Sequence, residues 1–507
     1  MAATNKKFSV AHIVPSKIDK AQTGNIVSFF KENLGLKEDF IRSTINSGSD
    51  YARILPGRLT AEQVNLIKEK AFPGVDISYV TDRYYPQEQL GADILGFLGY
   101  SEEGRSGQYG IESFYNQELF GQGEQSNRIL GSGLLGIIGS LWPGAQAREK
   151  QQDSTFDRPK DIVLTIDKNI QEFAEGKLEQ VMKQWQAVGG SIIVQDPMTG
   201  KILAMADRPV FDPNAYTESK TELYLNSNVQ QIFEPGSSFK PITMAAGLDK
   251  VKITPQTTYE DKGFVQVAEY TIRNFSEKVF GRQTMSQVLE KSINTGTMFV
   301  ENLVGDDAFL DYVLNFGFGQ RTGIDLPGEV NGDISNLYSG RKINFLTASF
   351  GQGIAVTPLQ LINAYSAIAN GGKLMKPYIV DRVITEGKEV VTQPEMLGIP
   401  ISEKTSAKLK TMLVSVVDNG FDKARIKGYE IAGKTGTAQI PDAEGGYLKD
   451  EYIHNFLGFA PANDPRFTVL IKIDKPKGIT FASDSLSPTY REITAFLLNY
   501  YNIPPTR

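Results

Sequence analysis

Apolar residues recur with two periods along the chain, one typical of helices and one typical of strands. Predicted strands lie at residues 8–15, 76–80, 162–166, 191–195, 201–205, 429–437, 455–460 and 467–473. Helical periods fall between them, at residues 25–34, 37–45, 60–71, 285–291, 297–304, 308–316 and 403–417. This order predicts an α+β protein whose C-terminal part has a central antiparallel sheet flanked by helices.

Three helix starts carry specific signals. Asp167 stands where a capping residue is expected, before a helix that runs to about residue 185. Thr357 and Pro358 place a proline at the first position of another helix. Ser487 and Pro488 predict the start of a last helix that ends near residue 501.

A chain of 507 residues is expected to form more than one domain, because single cores stop growing near ~250–300 residues. Residues 145–159 are polar and charged and predict a linker, so we expect domains at 1–155 and 156–507. Residues 129–142 are apolar but interrupted by four glycines. This stretch fits a hairpin on the body equally well as a loop that touches lipid or a partner.

Composition excludes several classes of protein. The net charge of −6 argues against a nucleic-acid-binding protein, and the lack of cysteine excludes disulfides and zinc thiolates. No apolar run is long enough to cross a bilayer, and the first residues do not resemble a signal peptide. We therefore expect either a soluble protein or one whose membrane anchor is missing from this sequence.

Ser237 and Lys240 form a Ser-x-x-Lys motif directly after a Pro-Gly turn. The apolar residues 242–248 that follow predict a helix, which would put both side chains on one face. A desolvated lysine can take the proton of a neighbouring serine and make it a nucleophile. Alone, the same spacing is more often a helix cap with a solvated lysine, as expected at Ser28 and Lys31.

Two further motifs change this interpretation. Ser292 and Asn294 enclose Ile293 in a helix–turn context, where a hydroxyl could relay a proton and an amide could hold a carbonyl or Lys240. An ordinary capped turn is the alternative.

The third motif is Lys434-Thr435-Gly436-Thr437, in a predicted strand. Alternation would point Lys434 and Gly436 to one face and the two threonines to the other. Lys434 would favour a neutral Lys240 by charge repulsion, and Gly436 would let a substrate backbone approach. The alternative is an exposed strand lysine beside a glycine.

Ser292 follows Ser237 by 55 residues, and Lys434 follows Ser292 by 142. Three motifs of this kind in this order are the set of penicillin-binding proteins and class A β-lactamases. The sequence resembles the class B penicillin-binding proteins, division or elongation D,D-transpeptidases. Residues 83–86 and 110–112 resemble the family's non-catalytic pedestal, so a mixed α/β pedestal is expected before the transpeptidase domain. Ile293 stands where the three-motif set has Asp, which weakens the β-lactamase alternative.

The resemblance implies acyl transfer on peptidoglycan stem peptides that end in D-Ala-D-Ala. Ser237 would attack, Lys240 would accept its proton, and Ser292 would protonate the leaving D-Ala. The backbone N–H groups of Ser237 and Thr437 would form the oxyanion hole. Lys434, Thr435 and Thr437 would grip the terminal carboxylate, with Gly436 and Asn294 completing the site.

The resemblance also implies partners and a location. β-Lactam antibiotics would acylate the same serine, and no metal or organic cofactor is expected. A membrane glycosyltransferase is the expected protein partner, at the extracytoplasmic face of the bacterial cell membrane. The family's anchor and its first pedestal motif are not found in this sequence.

Several alternatives remain at this point. The same fold serves D,D-carboxypeptidases, β-lactamases and β-lactam sensors, and a wall-synthesis scaffold is a different class of function. Division and elongation are not separated by the sequence. His454 lies 20 residues after Lys434 and is interpreted as a strand-edge residue, whereas His12 is interpreted as structural.

Overall fold

The computed structural model describes residues 1–101, 104–120, 159–442 and 445–507. The predicted loop at 129–142 and the predicted boundary at 155/156 therefore lie outside the described residues. Contacts between Cα atoms divide the chain into two units. One unit contains residues 1–88 and 98–106, and the other contains 89–97, 107–119 and 159–507. Residues 89–97 and 107–119, expected in the first domain, thus belong with the C-terminal unit by their contacts.

The N-terminal unit is built on a three-stranded antiparallel sheet. Its strands are β1 Thr4–Ile13, β2 Arg53–Ile54 and β3 Val75–Tyr84, in the order β2-β1-β3. Its helices are α1 Thr23–Leu34, α2 Glu38–Asn46 and α3 Ala61–Lys70. Alternate residues of β1, such as Ala11 and Ile13, pack with Ile26 and Phe30 of α1 in one apolar core. Most residues of the next two strands, β4 Phe97–Ser101 and β5 Gly104–Gln108, also belong to this unit, whereas the short helices around them, α4 Ala92–Leu95, α5 Gly110–Phe114 and most of α6 Asn116–Phe120, belong to the C-terminal unit.

The C-terminal unit contains the remaining elements. Its strands are β6 Asp161–Leu164, β7 Gly189–Gln195, β8 Ile202–Arg208, β9 Thr258–Asp261, β10 Phe264–Val267, β11 Tyr270–Arg273, β12 Gly281–Thr284, β13 Leu374–Met375, β14 Val380–Thr385, β15 Lys388–Val391, β16 Met396–Gly398, β17 Ala432–Pro441, β18 Tyr447–Ala460 and β19 Phe467–Asp474. Its helices are α7 Lys168–Trp185, α8 Ser227–Gln230, α9 Lys240–Asp249, α10 Met285–Glu290, α11 Asn294–Val304, α12 Asp306–Asn315, α13 Ser335–Tyr338, α14 Lys342–Ala348, α15 Pro358–Ala369, α16 Glu403–Asn419 and α17 Ala482–Tyr500.

Within the described residues, the largest sheet has five strands in the order β17-β18-β19-β7-β8, and every neighbouring pair is antiparallel. Alternate residues of β7 enter different cores: Ile193 packs with helices such as α9 and α15, whereas Ile192 and Val194 pack with α7 and α17. Helices thus cover both faces of an antiparallel sheet, which confirms the predicted α+β class.

Two of the three predicted helix starts are correct. The Asp167 side chain accepts hydrogen bonds from the Asn169 and Ile170 N–H groups, and Thr357 caps α15 with Pro358 at its first position. The third is wrong, because α17 begins at Ala482 and contains Pro488. Leu486 and Tyr490, on either side of the proline, are buried in one core. This packing holds the helix through a residue that cannot donate a backbone hydrogen bond.

Among the described residues, no helix has both the length and the apolar character needed to span a bilayer.

Candidate active site

Ser237 lies in a single 3-10 turn, Gly236–Phe239, that leads directly into α9. The N–H of Lys240 donates to the Ser237 carbonyl, which closes the turn. Residues three apart in such a turn lie on the same side, so the two side chains face one region. Ser237 lines a cleft of about 560 Å³, together with Ser292, Asn294, Thr435 and Thr437.

The turn before the serine is fixed by close backbone packing. The Gly236 N–H donates to the Gly351 carbonyl at 3.0 Å, and Asn455 Nδ2 donates to the Pro235 carbonyl at 3.1 Å. Gly236 has φ +58, in the left-handed region that favours glycine. A β-carbon on Gly351 would lie 2.2 Å from the Gly236 carbonyl oxygen. Glycine at both positions therefore lets two loops meet beneath the serine.

Lys240 is fully buried beside this turn. Its Nζ donates to the Ser292 carbonyl at 2.5 Å, to Asn294 Oδ1 at 2.7 Å and to Ser292 Oγ at 3.3 Å. Burial, and then the nearby Lys434, lowers the pKa of Lys240 well below its ordinary value. Within the described chain the Ser237 hydroxyl is not among the hydrogen-bond partners of Lys240. The second motif, rather than the serine, orients the amine.

Ser292 joins the first and third motifs. It stands between α10 and α11 with φ +55, a conformation that costs a non-glycine residue roughly 1 kcal/mol or more. This turn points its carbonyl and its hydroxyl to the Lys240 amine, and its hydroxyl also accepts from Lys434 Nζ at 3.0 Å. A single serine is therefore bonded to both lysines.

Ile293 explains why the middle of this motif needs no acidic residue. Its side chain is 1% exposed and lies in the core packed around α9 and α15. The flanking Ser292 and Asn294 face the cleft, whereas Ile293 points away from it. An aspartate in this apolar position would need a partner for its charge.

Lys434 lies on β17, the edge strand of the five-stranded sheet, and is fully buried. Besides Ser292, its Nζ donates to the Thr435 carbonyl at 3.1 Å, and it lies 5.0 Å from the ring centroid of Phe421. Burial lowers the pKa of Lys434 to about 7. Thr435 and Thr437 line the cleft, while Lys434 is on the buried side, as strand alternation predicts.

Glycine is required at position 436 for a different reason from the one expected. A β-carbon there would lie 2.5 Å from the Pro235 carbonyl oxygen and 2.5 Å from Asn455 Oδ1. The missing side chain makes room for the protein's own turn before Ser237, on the face of β17 opposite the two threonines. The glycine thus lets the first and third motifs pack together.

His454 is not a strand-edge residue. It lies on β18, between β17 and β19, and is fully buried. Its Nδ1 is 2.8 Å from Ser485 Oγ and its Nε2 is 3.1 Å from the Thr480 carbonyl. Burial lowers the pKa of His454 to about 4, so the ring is neutral at pH 7. His12 lies on β1 of the N-terminal unit.

The cleft also has lining residues that the sequence motifs do not indicate. They include Arg273, Asn274, Phe275, Lys278, Phe421 and Phe481. None lies in a recognisable motif, and only the fold brings them to the site. Within the described residues, no group of His, Asp and Glu side chains is arranged to hold a metal ion.

Comparison with known proteins identifies the family. The penicillin-binding protein transpeptidase domain matches residues 190–495, and the penicillin-binding protein dimerisation domain matches residues 1–133. The chain belongs to the class B penicillin-binding proteins. As a member of this family it is a serine-type transpeptidase of cell-wall synthesis.

Similar penicillin-binding proteins cover most of the chain. Stage V sporulation protein D of Bacillus subtilis is 32% identical over all of this chain and 77% of its own length. The peptidoglycan D,D-transpeptidase FtsI homolog of Mesostigma viride is 30% identical over 93% of this chain and 80% of its own. The crystal structure of Mycobacterium tuberculosis penicillin-binding protein 3 with aztreonam matches with a TM-score of 0.72 and 27% identity. That match covers 85% of this chain and 92% of the other.

Proposed function

We propose that this penicillin-binding protein cross-links peptidoglycan stem peptides ending in D-Ala-D-Ala through an acyl-enzyme on Ser237. The observation that carries the proposal is the meeting of two buried amines, those of Lys240 and Lys434, on the Ser292 hydroxyl in the cleft that Ser237 lines. Three segments remote in sequence supply these groups.

Acylation begins with attack of Ser237 Oγ on the carbonyl of the penultimate D-Ala, and Lys240 accepts the hydroxyl proton. Its lowered pKa favours the neutral amine that a base requires. The hydrogen bonds to Ser292 and Asn294 hold that amine beside the turn.

Ser292 then passes a proton to the amine of the leaving D-Ala. Its hydroxyl lies 3.3 Å from Lys240 Nζ and 3.0 Å from Lys434 Nζ, so it can receive a proton from either amine. The terminal D-Ala leaves as a neutral amine, and Ser237 retains the acyl group.

The backbone N–H groups of Ser237 and Thr437 form the oxyanion hole in this proposal. β17 is an edge strand, and alternate N–H groups of an edge strand point away from the sheet. Donors fixed in this way stabilise the charge that develops on the carbonyl oxygen, and loss of one typically costs ~10²–10³ in rate.

Thr435 and Thr437 hold the terminal carboxylate of the donor, and Lys434, whose amine reaches the cleft through Ser292, attracts it by its charge. Thr437 Oγ1 accepts a hydrogen bond from the Ala482 N–H at 3.0 Å, which leaves its own hydrogen to donate to a ligand. Gly436 contributes through the packing of β17 against the turn before Ser237.

An amine of a second stem peptide completes the reaction by taking the acyl group, which forms the cross-link and restores Ser237. A β-lactam ring acylates the same hydroxyl and remains attached. We place this reaction at the extracytoplasmic face of the bacterial membrane, with a membrane glycosyltransferase that supplies the glycan strands as partner.

Labelling with a fluorescent penicillin tests the assignment of the nucleophile. Wild-type protein is expected to be labelled covalently, with the adduct mapped to Ser237, and the Ser237→Ala variant is expected to remain unlabelled. Ser238→Ala is the matched control, because the Ser238 hydroxyl is buried and donates to the Pro235 carbonyl. Equal labelling of wild type and Ser237→Ala contradicts the proposal.

Product analysis separates the transpeptidase from a carboxypeptidase. With a stem-peptide donor and an amine acceptor, cross-linked product is expected along with free D-Ala. Release of D-Ala without any cross-linked product would favour the carboxypeptidase.

A further inference from the structure

One wall of the cleft is a short loop that the proposed mechanism does not use. This rim segment, residues 273–280, connects β11 to β12 and contributes Arg273, Phe275 and Lys278 to the lining. β17 contributes Thr435 and Thr437 to the same lining.

The rim segment is held in place by a buried carboxylate. Asp261, 2% exposed, accepts hydrogen bonds from Asn274 Nδ2 at 3.0 Å, from the Phe280 N–H at 2.7 Å and from Thr295 Oγ1 at 2.6 Å. The Thr295 N–H also donates to Asn274 Oδ1. Thr295 directly follows Asn294 at the start of α11, so the rim segment is tied to the helix that carries the second motif.

A second connection reaches the base itself. Asn294 Nδ2 donates to the Arg273 carbonyl at 3.3 Å, while Asn294 Oδ1 accepts from Lys240. Arg273 is thus two hydrogen bonds away from the amine that takes the Ser237 proton. The backbone of Arg273 is therefore held by the same amide that orients Lys240.

The side chains at this rim are cations with unused donors. Arg273 is about half exposed; among the described residues its one ion pair is a 3.9 Å contact with the exposed Glu277, and its guanidinium lies 5.7 Å from the centroid of the Phe264 ring. Lys278 is exposed and forms no side-chain hydrogen bond or ion pair within the described part of the chain. Two other charged residues of the lining bind elsewhere: Glu290 accepts a hydrogen bond from Ser415 and does not pair with these cations, and Lys291 donates to Gln283.

From this geometry we infer that Arg273 and Lys278 bind a second carboxylate of the donor stem peptide, one on a side chain remote from its D-Ala-D-Ala end. The inference rests on the proposed function, in which the terminal carboxylate is held on the β17 side. A guanidinium and an ammonium in the lining match the negative charge of an acidic side chain, whereas an amide has no charge with which they can pair. The enzyme should therefore select donors whose side-chain carboxylate is free over donors in which it is amidated.

The test compares kcat/KM for release of D-Ala from two synthetic pentapeptide donors that differ only in this group, carboxylate or carboxamide. Wild-type protein is expected to prefer the free acid by roughly threefold to thirtyfold, the range for two partly exposed charge pairs. The preference should shrink as salt is raised, because exposed charges are screened. An amide preference, or equal rates with both donors, overturns the inference.

The double variant Arg273→Gln/Lys278→Gln is expected to bring the ratio of the two donors to about one, by a loss on the free-acid donor. Arg282→Gln is the matched control: it removes one exposed cation of β12 that is outside the cleft lining and donates to Thr258. The control should retain the wild-type ratio. A double variant that keeps the preference also overturns the inference.

Penicillin labelling in the same samples separates two kinds of failure. Labelled Ser237 without donor selectivity contradicts the inference alone. Protein that is folded by circular dichroism but neither labelled nor active contradicts the proposed function as well.

Discussion

The floor and the rim of the cleft both carry cations, but in opposite environments. Lys240 and Lys434 at the floor are fully buried, and burial lowers the pKa of each, that of Lys434 to about 7. Arg273, Lys278 and Lys291 at the rim are exposed. A buried amine with a lowered pKa can take up and release a proton, whereas an exposed cation keeps its charge and can only attract or position a ligand. In our proposals the buried lysines of the floor therefore serve the chemistry, and the exposed cations of the rim serve selection.

The largest expected effect is found by replacing a lysine with arginine once at the floor and once at the rim. Lys240→Arg places a permanently charged guanidinium where a neutral base is needed, so acylation by penicillin should fall by about 10²–10⁴. Lys291→Arg keeps an exposed cation at the rim and should change the rate by less than about twofold. Stopped-flow acylation measures both. Similar losses in the two variants would remove the distinction between floor and rim.

Packing beneath the floor gives a smaller effect. Gly436→Ala forces a methyl group against the Pro235 carbonyl and Asn455, which should cost about 1–3 kcal/mol of stability and shift the Ser237 turn. We expect acylation to fall about tenfold or more. Gly398→Ala, where a β-carbon meets nothing within 4 Å, should leave both unchanged. Denaturant unfolding and penicillin labelling check the pair, and a stable, fully active Gly436→Ala would show that the close approach is not needed.

The smallest effect on activity concerns a buried group that does not itself line the cleft. The folded-state pKa of His454 is lowered to about 4, so the unfolded chain binds a proton as pH falls below about 6.5 while the folded protein does not. Stability should therefore fall between pH 6.5 and 4, by about 3 kcal/mol from this group.

His454→Gln should reduce this acid sensitivity without altering acylation at pH 7, because burial alone does not make a group catalytic. His12→Gln removes the other histidine and should leave the acid sensitivity in place. Unfolding midpoints measured across this pH range test the prediction. An unchanged pH dependence in His454→Gln would show that His454 does not cause the loss of stability.

The sequence determined the central sheet, most helix positions and the motif residues, because periodicity and spacing are local properties. It also gave the correct faces for Lys434 and Thr435, since alternation is fixed by the strand itself. Pro488 was misplaced for a nonlocal reason: packing of Leu486 and Tyr490 carries the helix through it. The prediction for His454 was wrong because its place in the sheet depends on strand pairing: its cross-strand partners, Thr437 and Ile473, are 17 and 19 residues away in sequence.

Only the tertiary structure decided what the motif residues contact. The three motifs contain two serines, two lysines and an asparagine, but the left-handed turn at Ser292 directs Lys240 to Ser292 and Asn294 rather than to Ser237. The sequence predicts that Gly436 makes room for a substrate, whereas the structure shows that the space is taken by the Pro235 carbonyl. The rim cations have no sequence signature, because the loop that carries them is held by hydrogen bonds of Asp261 and Asn294 that span 13 to 34 residues. Local pattern fixes which groups are present, and long-range packing fixes their distances, burial and protonation.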